Sequence, residues 1–283
     1  MANTLEDIKT LRARTGAGMA DCKKALEEAD GDMDGAIEIL RKKGAATAAK
    51  RADKAADEGV IATAIADDNR SAAIVEINCE TDFVARNEDF SGYAAKIAAA
   101  ILADNPADLD SMKGIEIDGT TIESGLNDLL AKFSERIEVR RFERLESDSG
   151  YLGDYIHGGA RLGVLIELST PSDGAEVLSR DVAMQVAAMN PSFVRRDQVS
   201  DEKLEKEREI YRDQLAGENK PPEIVERIIT GRLEKYYEEN VLLEQSFVKD
   251  SAQSVNDVLG ESTVSRFVRY NLGEAIEEPS TAA

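Results

Sequence analysis

An α+β fold is what this 283-residue sequence predicts, on three observations. Residues 4 to 44 carry the spacing of three short amphipathic helices. The order strand hairpin, loop, helix, Asn-Pro occurs twice, once ahead of Asn105-Pro106 and again ahead of Asn190-Pro191. A charged segment from 199 to 240 keeps heptad-like apolar spacing and reverses at a Gly/Pro turn. Helical and strand patterns in separate runs mark an α+β chain rather than a regular βαβ alternation.

At the N-terminus, Thr4 and Asp7 have the spacing of a capping box, and Leu5, Ile8 and Leu11 share one face. Thr15-Gly16-Ala17-Gly18 is a turn. The next helix puts Met19, Cys22, Leu26 and Ala29 on one side and stops at Asp30-Gly31, where glycine suits a left-handed position. Asp32 can cap a third helix bearing Ile37 and Leu40, ended by Gly44. Three helices in about forty residues make a marginal core, so this module is expected to work at a surface. An Ala/Lys/Arg-rich helical tether runs from Ala45 to Lys54. The basic cluster Arg41, Lys42, Lys43, Lys50, Arg51 and Lys54 reads as a solvated helix end.

The first repeat has strands at Val60–Ile65 and Ala72–Cys79 around the turn Asp67-Asp68-Asn69-Arg70, then a helix from Phe90 to Leu102. Val75, Ile77 and Cys79 alternate with polar neighbours, which predicts a half-buried strand. Asn78 to Asn87 is then a polar turn carrying Phe83 beside Asp82. An exposed ring next to a carboxylate is what a protein-binding hot spot looks like; the competing reading has Phe83 capping the core beneath the next helix. Leu126–Phe133 reads as helix and Ile137–Phe142 as strand. The second repeat has strands at Tyr151–His157 and Leu162–Leu168 and a helix from Arg180 to Met189. Between 199 and 240, Leu204, Tyr211 and Leu215 on one arm face Ile224, Ile228 and Tyr236 on the other, an antiparallel hairpin too polar to be core. Its expected use is association with a second copy or a partner.

The expected division is therefore a three-helix module and tether at 1–54 and a first core unit at 55–145. A second core unit takes 146–198 and 241–272, with the helical hairpin inserted at 199–240 and a frayed tail at 273–283.

A net charge of -21 argues against broad nucleic-acid or anionic-membrane binding. Cys22 and Cys79 are too few for a disulfide framework, and no run approaches the roughly 20 apolar residues of a membrane helix. A cytoplasmic location is expected, in a bacterium or, for a processed chain, an organelle. The single histidine, His157, cannot build a multi-histidine metal site. Gly16-Ala17-Gly18 lacks the third glycine of a dinucleotide loop, and no phosphate-binding G-x-x-x-x-G-K-[ST] occurs. No cofactor or metal is expected.

Four segments carry a resemblance: Leu11-Arg12-Ala13-Arg14-Thr15-Gly16-Ala17-Gly18-Met19-Ala20-Asp21-Cys22-Lys23-Lys24-Ala25-Leu26, Glu80-Thr81-Asp82-Phe83-Val84, His157-Gly158-Gly159-Ala160-Arg161-Leu162-Gly163-Val164 and Arg266-Phe267-Val268-Arg269. In that order, and over nearly the full length, they resemble the translation elongation factor Ts family. The resemblance implies a guanine-nucleotide exchange factor for elongation factor Tu that performs no covalent chemistry. It also implies a ubiquitin-associated-like N-terminal module, a two-subdomain α+β core and a coiled-coil hairpin. By the same resemblance, the loop Thr81, Asp82, Phe83, Val84 enters the partner's G domain near its magnesium site. Arg12, Met19, Cys22, Lys23, Arg51 and His157 become further partner contacts. Phe133-Ser134 stands where relatives can carry Ile-Gly. Without the resemblance, a ubiquitin-type adaptor with no exchange activity is the main rival.

Overall fold

In the computed structural model the chain is described over residues 4–51, 54–217 and 220–275. Three helices come first, α1 (Leu5–Thr15), α2 (Met19–Glu28) and α3 (Met33–Arg51). The Thr4 hydroxyl accepts from the Asp7 amide at 3.2 Å while the Asp7 carboxylate accepts from Thr4 N–H at 2.9 Å, which closes the capping box of α1. Ile8, Leu11, Cys22, Leu26, Ala36 and Leu40 bury the shared face.

The first sheet unit contains β1 (Glu58–Ile65), β2 (Ser71–Cys79), the one-turn α4 (Asp82–Ala85), α5 (Glu88–Asp104) and α6 (Leu109–Lys113). A small hairpin of β3 (Glu116–Ile117) and β4 (Thr120–Thr121), then α7 (Ile122–Phe133) and β5 (Ile137–Glu146), complete it. The second unit opens with β6 (Tyr151–His157), β7 (Leu162–Leu168) and α8 (Ala175–Met189). The arms α9 (Asp201–Leu215) and α10 (Pro222–Asn240) project from it. The hairpin β8 (Ser246–Phe247) and β9 (Asp250–Ser254), α11 (Val255–Leu259) and β10 (Val264–Asn271) close the chain.

Both main sheets are antiparallel and three-stranded, in the orders β1-β2-β5 and β10-β7-β6. Each is a hairpin, a helix and a third strand that returns beside the hairpin's second strand. α5 and α8 even end alike, on Asn105 and Asn190, both left-handed at φ 47°. One face of the first sheet packs on α5 and α7, and one face of the second packs on α8 and α11. The remaining faces meet: Ile61, Ile74 and Leu145 lie against Leu152, Leu165 and Val268. Glycine at 163 permits that approach, because a Cβ there would come within 2.5 Å of Ile61.

The second sheet is why β2 is not half-buried. Glu76 and Asn78, the polar residues of its alternation, are as fully buried as the apolar ones. Glu76 is compensated by Arg141 Nε at 2.7 Å and the Gly273 amide at 2.9 Å. A bulge opposite Glu76 and Ile77 inserts Arg140 into β5, which is why two consecutive arginines reach one carboxylate.

Gly44 does not end the third helix. α3 runs on to Arg51, and Gly44 sits where α3 crosses α7 at close range: a Cβ would lie 3.0 Å from the Asn127 carbonyl oxygen. Of the tether, residues 52 and 53 lie outside the described residues. Arg41, Lys42, Lys43 and Arg51 are each ion-paired, with Asp128, Glu38, Asp21 and Glu80.

In the hairpin, the seam of α10 is Val225, Ile228, Ile229 and Leu233, packed on Leu204, Tyr211 and Leu215. Ile224 faces solvent instead, and Tyr236 belongs to a separate cluster at the base with Val199 and Val241. The helix starts at Pro222, and its 3.6-residue period puts the i, i+4, i+8 row from Val225 on the seam. Arg196 fastens the base, stacked 4.0 Å over Tyr237 and paired with Glu234 and Glu244.

The expected frayed tail is held at its start. Gly273 donates to Glu76, and Glu274 pairs with Arg141 at 2.9 Å and Arg269 at 3.3 Å. Residues 276–283 lie outside the described residues.

Candidate functional site

The turn after β2 inverts the usual order of apolar and polar groups. Val84 and Ala85 point into the core of the first unit, whereas the Phe83 ring just before them is 84% exposed. That placement removes the core-cap reading. Asp82 opens α4 beside the ring and pairs with Arg86, one turn on, at 2.9 Å. A large ring in water with buried neighbours on the same turn has no packing purpose within the chain.

The residues before the ring are held tightly. The Thr81 amide and hydroxyl donate to the two oxygens of Glu135, at 3.0 and 2.6 Å. Glu80 accepts from Arg51 Nε and Nη2 at 2.7 and 2.9 Å, and from the Arg136 amide at 2.6 Å. The hydrogen bonds from the Arg51 guanidinium, more than any other influence, hold the Glu80 carboxyl down to about 2. The Cys79 thiol donates to the Thr81 carbonyl at 3.2 Å, and burial pushes its pKa up to about 12, so it stays a thiol at neutral pH.

A second loop lies beside this turn. A cleft of about 650 Å³ has Asp82, Ala85 and Arg86 on one wall and Gly158, Gly159, Ala160 and Arg161 on the other, with Glu58 and Gly59 at its floor. The Arg161–Glu58 ion pair joins the wall to the floor. Gly159, at φ 69°, and Ala160, at φ 59°, give the second wall its sharp bend. His157 immediately precedes this wall, exposed, with Nδ1 2.9 Å from the Tyr155 hydroxyl. The two repeats therefore present the TDFV turn and the His-Gly-Gly-Ala loop to the same side.

The other residues singled out from sequence fall in three settings. Arg12, Met19 and Lys23 are exposed on the three-helix module. Cys22, one turn from Met19, is fully buried in that module's core with its thiol 3.5 Å from the Ala17 carbonyl; it supports the face and is not part of it. Arg51 spends two of its donors on Glu80 and so faces the TDFV turn from within the chain. Phe133 packs at the edge of the core and Ser134 caps α7, one residue before Glu135.

Sequence reasoning missed Glu135. It lies 54 positions from Thr81, and no periodicity links the two. The available signal was only that Glu135-Arg136 fills the short gap between a helix end and a strand. Among the described residues no cluster of histidine, cysteine and carboxylate groups could hold a metal ion, and no helix is long and apolar enough to cross a membrane.

Residues 80–274 match the family described as Elongation factor TS. The Elongation factor Ts of Prosthecochloris aestuarii is 49% identical over 95% of this chain and 98% of its own length. That of Clostridium perfringens is 46% identical over 97% and 94%, and that of Chlorobaculum tepidum 47% over 95% and 98%. Sequence likeness of this extent, on a mixed helix-and-sheet fold that carries the TDFV turn in full view, makes the chain a member of the elongation factor Ts family.

Proposed function

We propose that this chain is a guanine-nucleotide exchange factor that binds elongation factor Tu carrying GDP and speeds GDP release. The observation that carries the reading is the Phe83 ring, 84% exposed on a turn whose neighbours are buried and clamped. Family membership supports the partner. In this reading Phe83 enters the partner's G domain near its magnesium site, with Asp82 fixing register and Val84 anchoring the turn from below. His157 and the loop after it touch the same partner surface across the cleft. Met19 and Lys23, with Arg12 nearby, form a second contact on the same G domain.

The mechanism is linkage. A factor that favours a G-domain conformation with weakened magnesium and phosphate contacts lowers nucleotide affinity, and nucleotide lowers the factor's affinity by the same ratio. No covalent bond is made or broken. The test is stopped-flow release of a fluorescent GDP from elongation factor Tu. A release rate that climbs with this chain to a plateau, together with a complex weakened by added GDP in the same ratio, is the expected result. Binding with an unchanged release rate would make the chain an adaptor instead.

A further inference from the structure

We propose that Glu135 is the positioning residue of the Asp82–Phe83 turn, with the Arg51–Glu80 pair as its second support. The proposal rests on the exchange reading above and names what keeps its ring in register.

α4 has four residues and no side-chain cap, so it cannot hold its own shape. Its order comes from what precedes and follows it. On the far side Val84 and Ala85 are sunk in the core. On the near side two consecutive residues are gripped by charged groups from other elements. Glu135, set by the left-handed Ser134 that ends α7, receives both donors of Thr81. Glu80 receives Arg51 from the last turn of α3 and the amide of Arg136. Charge-assisted hydrogen bonds of this kind are the stronger ones, and here none is wider than 3.0 Å. The Phe83 ring itself is 84% exposed, so the clamp orders it for something outside the chain. A ring already ordered does not have to be immobilised on binding. Because Arg51 ends the helix that begins in the three-helix module, the same clamp ties the module's position to the turn.

A role confined to stability predicts a different outcome from a positioning role. Loss of stability lowers the amount of folded factor, which raises the half-saturating concentration and leaves the plateau release rate intact. Loss of register lowers the plateau itself. Glu135→Gln separates the two further, since its amide can accept from Thr81 N–H and donate to the Thr81 hydroxyl, which keeps both links.

The experiment is GDP release from elongation factor Tu at saturating and sub-saturating full-length factor, with hydrogen exchange at single amides of the free chain. Glu135→Ala should lower the plateau rate roughly tenfold while Glu135→Gln stays within about twofold of wild type. The Thr81 amide should be protected in wild type and lose protection in Glu135→Ala. A wild-type plateau for Glu135→Ala, an equal loss for Ala and Gln, or a change confined to the half-saturating concentration would overturn the proposal. If Glu135→Ala does not fold, wild type decides alone: a Thr81 amide that exchanges as fast as the Phe83 amide overturns it. A wild-type chain that fails to speed release would sink the exchange reading instead, and Thr81 protection would still report the clamp.

Discussion

Ser134 stands at φ 58°, a left-handed position that a side chain tolerates only at a cost, and its amide donates to the Leu130 carbonyl at 2.7 Å to finish α7. Glycine adopts that conformation freely, though it also loses more freedom on folding. Ser134→Gly should therefore stabilise the chain by a net of about 0.5 kcal/mol, a melting temperature higher by roughly 1 to 2 °C. A fall in melting temperature would mean that the serine side chain is needed there. Glu80 gives the pH-dependent case. Its folded-state pKa, about 2, lies below the usual 4.5, so its contribution is present above pH 4.5 and is lost as pH falls toward 2. The stability difference between wild type and Glu80→Gln, followed by denaturant titration, should shrink across that window and be flat from pH 5 to 7. A difference that grew on acidification would contradict the assigned ion pair. At this scale the sequence was legible where chemistry was local. The Thr4–Asp7 capping box and the left-handed Gly31 could be read directly, because each is decided within a few residues of the chain. Glu135 could not, because its partner arrives through the tertiary fold.

At the scale of elements, hydrophobic period found the strands and failed where one element crosses another. The strands β6 and β7 coincide with their sequence reading, since short alternating runs bounded by turn residues leave little choice. Gly44 was misread for the opposite reason: a glycine reads as a stop, yet here it marks the α3–α7 crossing. Gly44→Val should push the helices apart and cost about 1 to 3 kcal/mol, with Gly44→Ala costing less because alanine restores helix propensity. Limited proteolysis should then release the three-helix module earlier than in wild type. An undisturbed Gly44→Val chain would show that the crossing is loose. In the hairpin, heptad-like spacing puts Ile224 on the seam, but the row that packs on the first arm runs through Val225, Ile229 and Leu233, which leaves Ile224 exposed. The short elements α6, β3, β4, α11, β8 and β9 are too brief for any period to show.

For the whole molecule, the repeat was the most legible large feature and its consequence the least. Two hairpin-and-helix patterns can be counted along the chain, but nothing in either says that their sheets meet face to face. That meeting buries both faces of β2, leaves Glu76 between the sheets and recruits Arg140 and Arg141 to neutralise it, with Arg141 shared with Glu274. It also sets the TDFV turn of one repeat across a cleft from the His-Gly-Gly-Ala loop of the other. A net charge of -21 distributes over this body without forming the site, whose defining group is an uncharged ring. The central claim is that this ring acts on a partner and not on the fold. Phe83→Ala tests it most directly, by the plateau rate of GDP release from elongation factor Tu measured beside the melting temperature of the free chain. The account predicts an unchanged melting temperature and a release rate lower by roughly 30- to 150-fold, the range for losing a hot-spot aromatic of about 2 to 3 kcal/mol. Normal release per folded molecule, with the melting temperature several degrees lower, would contradict it.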